Sequence, residues 1–385
     1  MKNILITSII LIGSLFSQNA FDVLRPFWGF EHSQILSNSI GGATVASGYI
    51  TPGLTSNPAN LAAVQFGYIQ LNYSDSEFSS NTSNMSNTGF NGIDFVQPVP
   101  VHQGRLVFSA GGHKEIDFMS ASQNSSYEFS EKGRLSSYHL AAAVEFSKNL
   151  YLGADLKFLS GNDEMIMNGI EETYYFKPRY SGSNLTIGLL HVLSRNLQYG
   201  VSIDMPTSLS VKEEYIESNH VDSDLSFSQT YNYDVKKPIT FHAGAAILFK
   251  SINFFYEAEQ TDWRNLEFSS DQIYESDLEL PASVLINQEI RDTFSATLSH
   301  HFGTAMRLPL LPVHLFAGYQ YMPVPFSDQY DNNIRESYSF GVSVAIKKNI
   351  TLQGSYDSYS WGFEGSPESF DKISVGISLH DISGF

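Results

Sequence analysis

From Tyr138 the chain runs Tyr138, Leu140, Ala142, Val144 and Phe146 on one side and His139, Ala141, Ala143 and Glu145 on the other. A period of two with one apolar face marks a strand, because successive side chains point to opposite faces of a sheet. After the tight link Ser147-Lys148-Asn149 the alternation resumes as Leu150, Leu152, Ala154, Leu156 and Phe158 against Tyr151, Gly153, Asp155 and Lys157, which predicts a hairpin. Each arm is about nine to ten residues long, the span of a tilted strand that crosses a bilayer. The pattern recurs in Leu197, Tyr199, Val201, Ile203, in Ile239, Phe241, Ala243, Ala245, Ile247, Phe249, in Phe294, Ala296, Leu298, in Tyr338, Phe340, Val342, Val344, Ile346 and in Ile373, Val375, Ile377, Leu379. Opposite them stand Ser, Thr, Gly and Gln rather than the Lys and Glu of a solvated sheet, and such residues suit a crowded barrel interior.

Strands are expected at 65-74, 90-97, 104-118, 137-146, 150-160, 184-193, 197-211, 237-249, 252-264, 291-302, 313-322, 336-346, 350-358 and 371-380, about fourteen in all. Long loops (75-89, 119-136, 161-183, 212-236, 265-290, 323-335, 359-370) alternate with shorter links (98-103, 147-149, 194-196, 250-251, 303-312, 347-349). Outer-membrane barrels have an even strand number, short periplasmic turns and long outer loops. With both termini periplasmic, this order places every long loop outward. Hydrocarbon forbids an open sheet edge, since each unpaired backbone group there costs several kcal/mol. The expected fold is therefore all-β, a 14-stranded antiparallel transmembrane β-barrel in the cell outer membrane. The 21 tyrosines and 28 phenylalanines then serve interfacial girdles and a lipid-facing wall. Phe385 follows shortly after the last strand, as barrel proteins commonly end.

Composition removes other classes. A net charge of -18, from 22 Lys+Arg against 40 Asp+Glu, lacks the clustered cations that nucleic-acid phosphates require. The absence of cysteine excludes disulfides, thiolate metal sites and a cysteine nucleophile. No Gly-x-Ser-x-Gly elbow, His-Glu-x-x-His pair or Walker-type loop occurs, so neither an enzyme nor a cofactor is expected. His300-His301 would point to opposite faces of a strand and cannot chelate one ion, so no metal site is expected. Lys2, the apolar stretch Ile4 to Phe16 and the run Ser17, Gln18, Asn19, Ala20 have the shape of a signal peptide, assigned to residues 1-17.

Residues 18-64 do not read as strand and are expected to form a hatch or plug ahead of a barrel over 65-385. They hold the glycine-rich stretch Ser37-Asn38-Ser39-Ile40-Gly41-Gly42-Ala43-Thr44-Val45-Ala46 and then Thr55-Ser56-Asn57-Pro58-Ala59-Asn60-Leu61-Ala62. A Gly-Gly-Ala segment, then Asn-Pro-Ala-x-Leu-Ala, then fourteen strands resembles the long-chain fatty acid transporter (FadL/TodX) family of outer-membrane proteins. The resemblance covers nearly the whole mature chain, and Asn57, Pro58 and Ala59 match that family's hatch motif. It implies passive diffusion of hydrophobic compounds, fatty acids or hydrocarbons, through a hatch-plugged barrel and out to membrane lipid through a lateral opening near a kinked third strand. Gly111 and Gly112 lie in that strand and are the residues most able to break a ladder. The family's fatty-acid carboxylate is met by basic side chains that have no match here; Lys177, Arg179 and Arg134, in predicted loops, are the candidates. The PorV-like branch of the same fold implies the alternative, an outer-membrane component of a protein secretion system with secretion proteins as partners.

Overall fold

The computed structural model describes residues 19-28, 30-31, 34-48, 56-123, 126-220, 226-271, 281-326, 334-363 and 366-381, so the expected signal peptide and Phe385 lie outside the described residues. Fourteen strands form the wall: β1 Tyr68–Ser79, β2 Asn84–Val99, β3 Leu106–Gln123, β4 Tyr127–Ser147, β5 Leu150–Gly169 and β6 Glu172–Ser194 come first. The seventh, β7, is in two pieces, Leu197–Asp204 and Thr207–Asn219, and so is β8, Phe227–Lys237 and Thr240–Leu248. Then follow β9 Ile252–Asp262, β10 Ala296–Arg307, β11 Val313–Pro323, β12 Ile334–Lys347, β13 Ile350–Phe363 and β14 Ser366–His380. Neighbours pair antiparallel, and β14 returns to β1 from Ser369↔Ser79 to His380↔Tyr68. The sheet closes on itself through this pair, as a membrane-spanning sheet must.

Alternation works as expected on the wall. Leu140, Phe158, Ile187, Val201, Phe241, Phe340 and Ile373 are exposed on the outside, while Ala143, His139, Asp155 and Ser202 are buried inside. At the turn between β4 and β5, Asn149 takes a left-handed φ of 65°, which Asn tolerates better than most side chains.

Several expected loops prove to be strand. The β1–β2 turn needs only residues 80-83, and β4, β5 and β6 run far past the segments 137-146, 150-160 and 184-193. The physical reason lies in the outward face. Beyond Ile203 it turns polar, as Ser208, Ser210, Lys212 and Glu214, while Thr207, Leu209, Val211 and Glu213 stay buried. The same change follows Tyr138 on β4, where Arg134 and Lys132 are exposed. The wall thus leaves the membrane and continues outward as a polar-faced collar.

A second difference lies between β9 and β10. Residues Ala282–Thr293 form a helix that buries Ala282, Ile286 and Ile290, a spacing of four that places all three on one side. Strand β10 accordingly starts at Ala296 rather than at 291, and Phe294, expected to face outward, is buried.

The N-terminal segment fills the lumen. A short helix, Ala20–Leu24, packs with helix Ala282–Thr293 and with Phe118, Tyr180, Leu209 and Tyr233 of the collar. A helix Ile35–Ser39 and a 3-10 turn Pro58–Ala63 lie deeper, among Val107, Ala143, Tyr151 and Leu248 near the tight turns. The chain therefore runs down the lumen from the collar end to β1. Residue 19 sits at the collar end of the lumen, opposite the end at which β1 begins and β14 finishes.

Candidate functional site

The deeper part of the segment is held by hydrogen bonds and by missing side chains. Asn57, fully buried, accepts from the Ala59 N–H at 3.0 Å and donates to the carbonyls of Val45 (2.7 Å) and Leu189 (2.9 Å). It thus caps the Pro58–Ala63 turn, whose Pro58 needs no N–H at the first position. On β9, a Glu257 carboxylate oxygen accepts from the N–H groups of Thr44 and Val45, both at 2.7 Å, and from the Ser56 hydroxyl at 3.2 Å. The wall makes room through inward-facing glycines: Gly188 lies against Asn57, Gly153 against Pro58 and Ala59, Gly200 against Val45, Gly318 against Gly41 and Gly341 against Ser39. A Cβ at any of these would occupy space that the plug fills.

The two histidines set aside in the sequence face opposite ways, as the strand geometry requires. His301 is buried and bonds the Gly41 carbonyl at 3.0 Å, whereas the outer His300 meets the Tyr256 hydroxyl at 2.9 Å. Asn57, Pro58 and Ala59 gather against β5–β7, and the structure does not bring them to Gly111 and Gly112. That glycine pair sits in regular pairing, Asp94↔Gly111 and Ile93↔Gly112.

The wall breaks just beyond it. The β2–β3 ladder runs from Val99↔Leu106 to Gly92↔His113 and ends there, while β3 continues along β4 past a bulge between Lys114 and Ile116. The freed edge of β3 pairs instead with the N-terminal segment, Phe30↔Asp117 and Glu31↔Ile116. The break falls opposite Ser137 and Tyr138, the level at which the outer face changes from polar to apolar. A second interruption lies across the barrel at the same level. Strand β7 stops at Met205-Pro206, β8 at Pro238-Ile239, and β9 gives way to the 3-10 turn Trp263–Asn265. Proline supplies no ladder N–H, which accounts for the first two.

Between plug and collar lies a cavity of about 300 Å³. Its roof carries Phe27, Trp28, Leu159 and Trp263; its floor carries Asn38, Gly42, Thr44, His242, Glu257 and His301. Three cations reach it, and one of them, Lys157, is paired with Glu115 at 3.1 Å. Arg335 lies over the Trp28 ring at 4.8 Å, and Lys237 over Trp263 at 5.6 Å. The basic residues singled out from the sequence are elsewhere: Lys177 pairs with Glu164 at 3.0 Å on the collar, Arg179 borders a collar pocket, and Arg134 is exposed. Sequence reasoning missed Arg335, Lys237 and Glu257, because only the register shows which strand residues share one level of the lumen.

Fold and site together define a class: a closed transmembrane β-barrel of the outer-membrane type, with its own N-terminal segment packed in the lumen and its wall interrupted at the membrane boundary. Solved structures share the architecture. A FadL homologue from Pseudomonas aeruginosa superposes with a TM-score of 0.69 at 12% identity, over 92% of this chain and 100% of that one. The toluene transporter TbuX of Ralstonia pickettii gives 0.63 at 14% identity, over 91% and 98%, and the CymD monoaromatic hydrocarbon channel 0.62 at 14%, over 91% and 97%. No protein-family model and no curated protein matches the sequence. What is shared at these identities is the fold, and it is the fold of the FadL/TodX channels.

Proposed function

We propose that the chain lets hydrophobic compounds cross the outer membrane by passive diffusion: they enter at the collar, rest in the cavity and leave sideways where β2 and β3 part. The observation that carries this reading is the end of the β2–β3 ladder at Gly92 and His113, at the membrane boundary, beside a lumen in which the N-terminal segment is packed. For an apolar molecule the sideways exit is also downhill, because reaching hydrocarbon rather than periplasmic water is worth about 25 cal/mol for each Å² kept dry. The cavity is about twice the roughly 150 Å³ that accepts benzene in an apolar core. That size suits hydrocarbons, and Arg335 and Lys237 beside an aromatic roof suit the carboxylate of a fatty acid. The FadL-like neighbours support the class of cargo, since two of them are named for toluene and monoaromatic hydrocarbons.

In this reading Asn57, Pro58 and Ala59 hold the hatch, and Gly111 and Gly112 keep β3 pliable just before its bulge. Uptake of labelled toluene and of a labelled long-chain fatty acid, in cells with and without the protein, tests it. Gly112→Val, whose added Cβ meets the Tyr138 ring at 3.1 Å, should lower uptake severalfold while the barrel still folds. If the parent speeds neither compound, the transport reading fails and the secretion-partner alternative gains.

A further inference from the structure

Asp94 of β2, His113 of β3 and His139 of β4 come from three neighbouring strands and meet over Gly111. The register sets Asp94 opposite Gly111 and Gly111 opposite His139. A Cβ at Gly111 would stand 2.8 Å from Asp94 Oδ1 and 2.7 Å from His139 Cε1, so the missing side chain is what lets the two converge. Their donor atoms, with one from His113, all lie within 4.8 Å of one another. His113 Nε2 is 3.3 Å and His139 Nε2 3.7 Å from Asp94 Oδ1. Ligands about 2.1 Å from a tetrahedral ion stand about 3.4 Å apart, between those two values.

The carboxylate is fully buried, and its Oδ1 accepts no hydrogen bond despite the nearby imidazoles. A buried carboxylate oxygen without a hydrogen-bond partner is costly, and a cation placed between it and the two imidazoles would offset that cost. The other oxygen is already oriented, by Gln34 Nε2 of the plug at 3.2 Å. His139 Nε2 meets Ser109 Oγ at 3.2 Å and its Nδ1 meets His113 Nε2 at 3.0 Å, bonds at the ligand nitrogens that an ion would replace, and His113 opens onto the cavity, which gives the ion a way in. The Gln34 bond, made to the carboxylate oxygen that faces away from the imidazoles, is of the kind that orients ligands around protein metal sites.

We propose that Asp94, His113 and His139 form a binding site for one divalent transition-metal ion, of the zinc, cobalt or nickel type. Two imidazoles and one carboxylate favour such ions over calcium or magnesium, which prefer all-oxygen shells. Three protein ligands leave a position open toward the cavity. The ion ties β2, β3 and β4 together, and through Gln34 the plug, at the last paired residue of the β2–β3 ladder. Sequence spacing could not reveal it, since the ligands lie 19 and 26 residues apart and only the barrel register joins them.

The test uses the full chain in detergent, stripped with a chelator and titrated with cobalt chloride and, by calorimetry, with zinc chloride. One equivalent should bind, with visible absorption from cobalt held by nitrogen and oxygen in a low-coordinate site. His113→Ala, at the cavity side, should abolish that spectrum. Gln34→Ala should weaken zinc about 10 to 100-fold and leave the spectral shape, as loss of an outer-shell partner does. Heat-dependent migration on gels reports whether each variant still forms the barrel. Absence of saturable binding by the folded parent overturns the proposal, and so does binding that His113→Ala and Asp94→Asn leave unchanged.

Discussion

The plug stays in a wide barrel because a few side chains each satisfy several of its backbone groups. Replacing Asn57 by Ala removes two donated bonds and one accepted bond at a fully buried position. Buried groups left without partners cost about 1 to 3 kcal/mol each, so with three of them the plug should loosen by at least about 3 kcal/mol. Glu257→Ala should act more strongly, since a carboxylate there receives three donors from the plug and bonds to a charged acceptor are worth about 1.5 to 3 kcal/mol. Limited proteolysis checks both: cleavage within 34-64 should speed up in the order parent, Asn57→Ala, Glu257→Ala, with the strands still resistant. Equal rates in all three would mean that the glycine-lined contacts alone seat the plug.

For the strands, the bilayer writes itself into the sequence and the collar does not. Inside the membrane an outward residue must be apolar, so the period-two pattern of Tyr138 to Phe146 could be read directly. Above Tyr138 the outer face meets water, the contrast between faces shrinks, and paired strand looks like loop. The helix Ala282–Thr293 escaped for another reason: its three buried residues are spaced by four within an otherwise polar run, and a reading tuned to alternation passes over them. The plug was legible as a glycine-rich segment ahead of the wall, but the pairing of Phe30 and Glu31 with β3 and its seat against β5–β7 depend on matches across strands that only the register aligns. A prediction belongs at this level. On β4 the apolar span runs from Tyr138 to Phe146, which puts Ala142 near its middle and Ser136 above it. Ala142→Arg should cost about 2 to 4 kcal/mol in a refolding titration into lipid, and Ser136→Arg about 0 to 1. Similar penalties at both sites would misplace the membrane boundary, and with it the level of both wall breaks.

Across the whole molecule the two interruptions are not equivalent, because their backbone groups are satisfied in different ways. At β7–β9 the closure belongs to the wall: Asn184 of β6 donates to the Met205 carbonyl at 2.8 Å and to Thr207 Oγ1 at 2.9 Å, and Lys237 covers Trp263. At β2–β3 the edge of β3 is covered by Phe30 and Glu31, part of the plug segment, and can be uncovered without breaking the barrel. The β2–β3 break should therefore be the working exit. Asn87 of β2 reaches across it to Asp117 of β3, Nδ2 to Oδ1 at 3.3 Å. Because the chain has no cysteine of its own, a double variant Asn87→Cys, Asp117→Cys can be joined by a short thiol-reactive linker at one defined place. Uptake of labelled hydrocarbon is measured in the same variant before and after linking, so any effect of the substitutions themselves cancels. Linking should suppress uptake at least tenfold, and a reducible linker should restore it on reduction. Uptake that persists through complete linking would move the exit to the proline-broken strands, where Lys237 borders both the lumen cavity and an outer-wall pocket with Pro206 and Pro238.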